Sequence, residues 1–253
     1  FVSPQASLCE YVAFDAAATF LSPIVVGPVS NQNLHALSRA DLVIVSPPLF
    51  MDEAKRLGEF HVEHDSLSYL VVQPAHIYNE FSSGTPDATA IRRFMKMFYD
   101  RANGDESLRP RYLLLFGDGS YDNRRVTEEW ASYDYPFLIT FQGDESVDEK
   151  DNFVTDDYFG FLHDDEGADL YRATLDIGIG RFPVRTKTEA AAMVDKLIAY
   201  ATNTDYGYWK NDICLVADDG NSGEHMAQSE TLANILETKN PEFFVHKLYI
   251  DAY

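Results

Sequence analysis

Cysteine is scarce in this chain. Among 253 residues only Cys9 and Cys214 occur. Two cysteines make no disulfide framework and leave the redox compartment open. Long apolar runs are missing too, since none approaches the roughly 20 residues a membrane helix requires. Basic residues are few: 20 Lys plus Arg stand against 41 Asp plus Glu, a formal charge of −21. So acidic a surface repels phosphate backbones, anionic headgroups and acidic substrates, so nucleic acid is not an expected partner. Cations, divalent metals included, are attracted. Phe1 is not an initiator Met and no charged region precedes it. No signal peptide is read, and the chain is expected to begin inside a longer precursor. Hydrophobic residues make up 45%, enough for a sizeable core and against wholesale disorder.

The apolar residues are arranged in a repeating form. After short runs cut by Pro23, Gly27 and Pro28, the chain carries LVIVSPP (42–48), YLVVQP (69–74) and YLLLFGDG (112–119). Runs that are apolar on both faces suit parallel strands covered by helices above and below. Helical stretches alternate with them. Ile91, Phe94, Met95, Phe98 and Tyr99 form one apolar stripe, with Thr85 expected as N-cap and Pro86 at the first helical position. Lys55 to His64 is a weaker helix, interrupted by Gly58. Thr186 and Glu189 make a T-x-x-E capping box ahead of a helix over 186–204. Before it, DIGIGRFPV (176–184) reads as a strand whose glycines admit another backbone. From Trp209 the pattern restarts: strand 212–220, helix from Glu224 to about Thr238, strand 243–251. Between the third strand and DIGIG lies an acidic region running from Asp144 to Asp169. Its only local base is Lys150, and Phe153, Tyr158, Phe159 and Phe161 are interleaved, so part of it must pack.

Candidate chemistry is thin. YLLLFGDGSYDN (112–123) offers Gly117 and Gly119, but Asp122 holds the third glycine's place and no Lys follows, so neither a dinucleotide fingerprint nor a P-loop is present. A nucleotide-binding reading depends on that loop and falls with it. Ser120 is followed by Tyr121 and Asp122, which is no nucleophile elbow. The stretch reads as a strand end with an Asp-Gly turn shaped by Asp118 and Asp122. The acidic region has oxygen ligands suited to calcium but no D-x-[DN]-x-[DN]-G loop, so calcium is a candidate on chemistry alone. His61 and His64 in HVEH lack two further zinc ligands and read as surface helix. Cys214, inside ICLVA, is expected to be a buried and unreactive core cysteine. His225 opens a helix after a strand, with no nucleophile partner nameable from spacing.

Several segments together resemble the gingipain-type cysteine peptidases, and within them the sortase of type IX secretion. They are VSNQNLHALSRADLVIVSPPLF, IYNEFSSGTPDATAIRRFMKMFYDR, YLLLFGDGSYDN, FVTDDYFGFL and DIGIGRFPVRTKTEAAAMVDKLIAY, in consistent order over about residues 28 to 253. The resemblance implies an α/β, caspase-like fold, a mostly parallel sheet flanked by helices. Residues 1–37 would end a preceding β-rich region, 38–205 would form a first subdomain with a four-stranded sheet, and 206–253 would open a second, incomplete one. It implies that the catalytic His and Cys lie beyond Tyr253, so no catalytic residue is assigned here. Asp218 and Asp219 would help wall the specificity pocket. Calcium is common in the family, though no cofactor is required. The implied activity is removal of a C-terminal sorting signal from secreted cargo and its transfer to lipopolysaccharide. The protein would act with other secretion components at the cell surface, associated with the outer membrane. The alternative is a non-catalytic module of the same fold that binds cations or a protein.

Overall fold

The computed structural model describes residues 12–18, 22, 24–25, 27–29, 31–143, 154–167, 170 and 172–250. Cys9, most of the stretch 1–30, the acidic positions Asp144 to Asp151, Phe153 and Asp169 lie outside them.

The apolar runs become strands. In chain order the elements are β1 (Leu42–Val45), α1 (Met51–Asp65), β2 (Tyr69–Val72), α2 (Pro74–Phe81), α3 (Ala88–Arg101) and β3 (Tyr112–Phe116). Then follow α4 (Glu128–Ala131), β4 (Phe141–Gln142), β5 (Val154–Thr155), β6 (Gly178–Phe182), α5 (Lys187–Ala201), β7 (Asp212–Ala217), α6 (Gly220–Lys239) and β8 (Phe244–Tyr249). A four-stranded sheet runs β2-β1-β3-β6, all parallel, with Leu42 opposite Tyr69 and Tyr112, and Tyr112 opposite Gly178. β4 and β5 pair antiparallel as a separate small ladder.

Both faces of the large sheet are covered. Val43, Val45, Leu113 and Leu115 point into a core with Ile91, Phe94, Met95 and Phe98 of α3, while Leu42, Ile44, Leu114 and Phe116 point into a second core with Leu57 of α1 and Val194 of α5. All four residues of β1 are buried, which is why its sequence shows no alternation. Each fully buried Phe or Leu contributes about 1.5–3 kcal/mol of transfer free energy. Tyr158, Phe159 and Phe161 are buried as well, so this part of the acidic region packs as its aromatics require.

Several local expectations change. α3 is capped by Asp87, whose carboxylate accepts from Thr89 N–H at 2.8 Å. Thr85 and Pro86 lie outside the helix, because Asp is the better cap and sits directly before the apolar stripe. α1 is a full 15-residue helix despite Gly58. That glycine lies against the Tyr69 ring, where a Cβ would come within 2.2 Å, so packing on β2 requires it. In β6 it is the Tyr112 ring, not a backbone, that approaches Gly178 most closely. The capping box forms as expected, with Glu189 N–H donating to Thr186 Oγ1.

Glu80 of α2 holds the segment before β1. Its carboxylate accepts from Leu34 N–H at 2.7 Å, Gln32 Nε2 at 2.8 Å, His35 N–H at 3.3 Å and meets the His35 ring at 2.6 Å. Burial raises its pKa, but these bonds outweigh burial and bring it from 4.5 to about 2. A depressed carboxylate stabilises the fold above its unfolded pKa and stops doing so as pH falls through the folded one. Acid titration is therefore expected to loosen residues 31–37 between pH 4.5 and about 2. Glu80→Gln should remove that pH dependence, read by hydrogen exchange of the Leu34 amide; unchanged exchange against pH would contradict the clamp.

Candidate functional site

Open parallel sheets bind ligands at the carboxyl ends of their strands. Two of the loops at that position carry residues singled out by the sequence, one after β3 and one after β7.

The loop after β3 is tied to itself and to its neighbours. Asp118 accepts from Gly119 N–H at 2.9 Å and pairs with Arg185 Nε at 2.6 Å. Asp122 accepts from the N–H and hydroxyl of Thr127 at 2.7 and 2.9 Å. Ser120 is buried and its hydroxyl accepts from Asp122 N–H at 2.8 Å. The serine is thus spent on the turn.

Behind this loop stands Arg181 of β6, 13% exposed, which the sequence did not single out. Its Nε and Nη2 grip both oxygens of Asp156 at 2.7 Å. Nη1 reaches the carbonyls of Gly117, Asp118 and Leu138 at 3.1, 3.2 and 3.3 Å, and Nη2 that of Ile139 at 3.4 Å. Three separate segments meet on one planar cation. The acidic region is likewise less isolated than its local composition implies. Lys96 pairs with Asp164 at 2.7 Å, and Arg92 donates to the carbonyls of Phe161, His163 and Glu166. These bases come from α3 and β6, 25 to 74 residues away in the chain, beyond the reach of any local spacing rule.

The loop after β7 carries Asp218 and Asp219. Both are exposed. Asn221, Ser222 and Gly223 follow with φ of 53°, 62° and 80°, three consecutive left-handed residues that cost side-chain-bearing positions energy. Gly223 N–H returns to the Asp219 carbonyl at 2.8 Å. The turn folds His225 back onto Asp218, with Nδ1 2.6 Å from Oδ1 and Nε2 3.2 Å from Asn221 Nδ2. The His225 bond lowers the Asp218 pKa, and Asp218 raises that of His225. The partner that spacing could not name for His225 is therefore a carboxylate, and no thiol or hydroxyl nucleophile bonds to it among the described residues. Asp219 makes no side-chain hydrogen bond or ion pair with a described residue, and its carboxylate is exposed.

Cys214 departs from expectation, for it is exposed. β7 and β8 form a two-stranded parallel sheet covered by α6 on one side. Asp212, Cys214 and Val216 alternate onto the other side, opposite Phe244, His246 and Leu248. A run of apolar residues implies burial only where both faces have a cover. His246 meets Asp212 at 3.2 Å, not Cys214. His61 and His64 each bond to Asp65. Among the described residues no group of three or more His, Cys, Asp or Glu is placed to hold a metal. Of the described acids in the acidic region, Asp156 and Asp164 pair with Arg181 and Lys96. No described helix is long and apolar enough to cross a membrane.

The model of peptidase family C25 matches residues 35–253. A crystal structure of dimeric latent PorU from Porphyromonas gingivalis is 43% identical, with a TM-score of 0.67, over 74% of this chain and 18% of that one. The complex of Porphyromonas gingivalis RgpB pro- and mature domains is 18% identical with a TM-score of 0.52, over 82% of this chain and 41% of that one. The Arg-specific cysteine proteinase gingipain R is 17% identical with a TM-score of 0.53, over 87% and 43%. At that identity the last two bear on fold alone, and they share the caspase-like arrangement of a parallel sheet between helices. The chain spans less than half the length of each. No curated protein matches the sequence. With the family model matched from His35 to Tyr253, the chain belongs to peptidase family C25, the gingipain family of cysteine peptidases.

Proposed function

We propose that residues 38–205 are the non-catalytic first subdomain of a sortase-type cysteine peptidase and that 206–253 open its catalytic one. The observation that carries this reading is the 43% identity to PorU across 74% of the chain. The bare face of β7–β8 supports it. Val216, Phe244 and Leu248 are 56%, 56% and 40% exposed there, and such a face is normally covered by further structure.

In this reading the family's His and Cys belong to chain outside residues 1–253. The thiolate attacks the carbonyl carbon preceding a C-terminal sorting signal, the signal leaves as a protonated amine, and a thioester remains. An amine of lipopolysaccharide then attacks that thioester, forms the amide and returns the thiolate. Secreted cargo, other type IX components and a cell-surface, outer-membrane setting belong to the same proposal, with calcium an accessory ion rather than a participant.

The role proposed for this chain is to wall the substrate site with the β7–α6 loop. Asp218 fixes His225 and the turn. Asp219 meets donors of the bound peptide. In the full-length protein Asp219→Asn should raise KM for a sorting-signal peptide about tenfold with kcat unchanged, the signature of lost ground-state binding. An unchanged KM would remove Asp219 from the substrate site.

A further inference from the structure

The sheet face beneath α1 and α5 contains a cavity of about 740 Å³, at the end of the sheet where the strands begin. This is the end away from the β3 loop. Its cause is local. Along β6, Gly178, Gly180 and Phe182 point to this face, so two successive positions of an edge strand contribute no side chain. Both glycines are exposed. A Cβ on Gly180 would find only Leu114 Cδ1, at 3.8 Å, so the space above it is open. The walls are Leu42, Leu57, Leu114, Phe182 and Leu197, and the volume is that of an ordinary small-molecule site, about 300–1,000 Å³.

Arg111 lies at the rim. Its guanidinium stacks on the Tyr112 ring at 5.2 Å and makes no ion pair with a described residue, in a chain with twice as many acids as bases. Two of the carboxylates nearby are engaged, while Glu106 also lines the cleft beside Arg111. Asp65 is held by His61 and His64 at 2.6 and 2.8 Å. Asp41 accepts from Ser68 N–H and hydroxyl at 2.9 and 2.5 Å and pairs with Arg39 at 2.7 Å. An open cation thus stands over an apolar slot. The chain's net charge opposes an approaching anion at long range, but salt screens that field beyond about 10 Å while leaving a contact pair intact.

We propose that this cavity binds a linear acyl chain with an anionic headgroup, the chain lying over Gly180 and the headgroup on Arg111 beside the Tyr112 ring that covers Gly178. The test is calorimetric titration of the full-length protein in 0.15 M salt with dodecanoate below its micellar concentration. Decanoate and octanoate serve as shorter chains, and dodecanol and dodecyltrimethylammonium as headgroup controls. Dodecanoate should saturate at one per chain, and affinity should rise about fourfold for each methylene added. Arg111→Met should weaken dodecanoate about tenfold and leave dodecanol unchanged. Gly180→Val, which fills the slot on a residue suited to strands, should abolish both, with circular dichroism verifying the fold. If that variant fails to fold, the Arg111→Met result decides. Absence of saturable binding, equal binding of the trimethylammonium amphiphile, or dodecanoate affinity indifferent to Arg111 would overturn the proposal.

Discussion

Arg181→Met is expected to lower the unfolding free energy by about 3 kcal/mol, the cost of leaving a largely buried carboxylate without its partner. Asp156 would lose both of its bonds, and the carbonyls of Gly117, Asp118, Leu138 and Ile139 would each lose a donor. Met preserves most of the volume, so the loss reports on polar contacts rather than on a cavity. Arg181→Lys should recover little of it, since an ammonium cannot present a planar fork to Asp156. Urea denaturation followed by circular dichroism measures the effect. A change below about 1 kcal/mol would mean that the three segments are held by apolar packing alone.

The larger effect concerns activity. Residues 1–253 on their own are expected to cleave a sorting-signal peptide at least about a thousandfold more slowly than the full-length protein, the scale of loss when a nucleophile and its base are both missing. The described part of the chain has one thiol, Cys214, and no histidine hydrogen-bonded to it. The comparison is made at equal concentration with and without a thiol alkylating agent. Thiol-dependent cleavage by residues 1–253 at a comparable rate would place the chemistry within this segment.

The parallel sheet was legible because β1 and β3 are apolar on consecutive residues, a pattern only a doubly covered strand needs. The turn role of Asp118 and Asp122 was legible because Asx side chains act within a few residues of themselves. Arg181 was not, because its partners are scattered between Gly117 and Asp156 and only the fold gathers them. The Asp218–His225 pair was half legible: both residues were noted, but three left-handed positions at 221–223 bring them together, and only the Gly among them announces that conformation. Cys214 misled because an apolar strand was equated with a buried one, whereas β7 has a helix on one side alone.

We propose that this chain shapes a C25 peptidase without supplying its nucleophile. The most direct test is kcat/KM for sorting-signal cleavage by the full-length protein carrying Cys214→Ala. The thiol is exposed, so its removal should change stability by no more than about 0.5 kcal/mol. A rate within twofold of the unaltered protein would support the proposed role. A loss of a thousandfold or more in a folded variant would make Cys214 the nucleophile and contradict it.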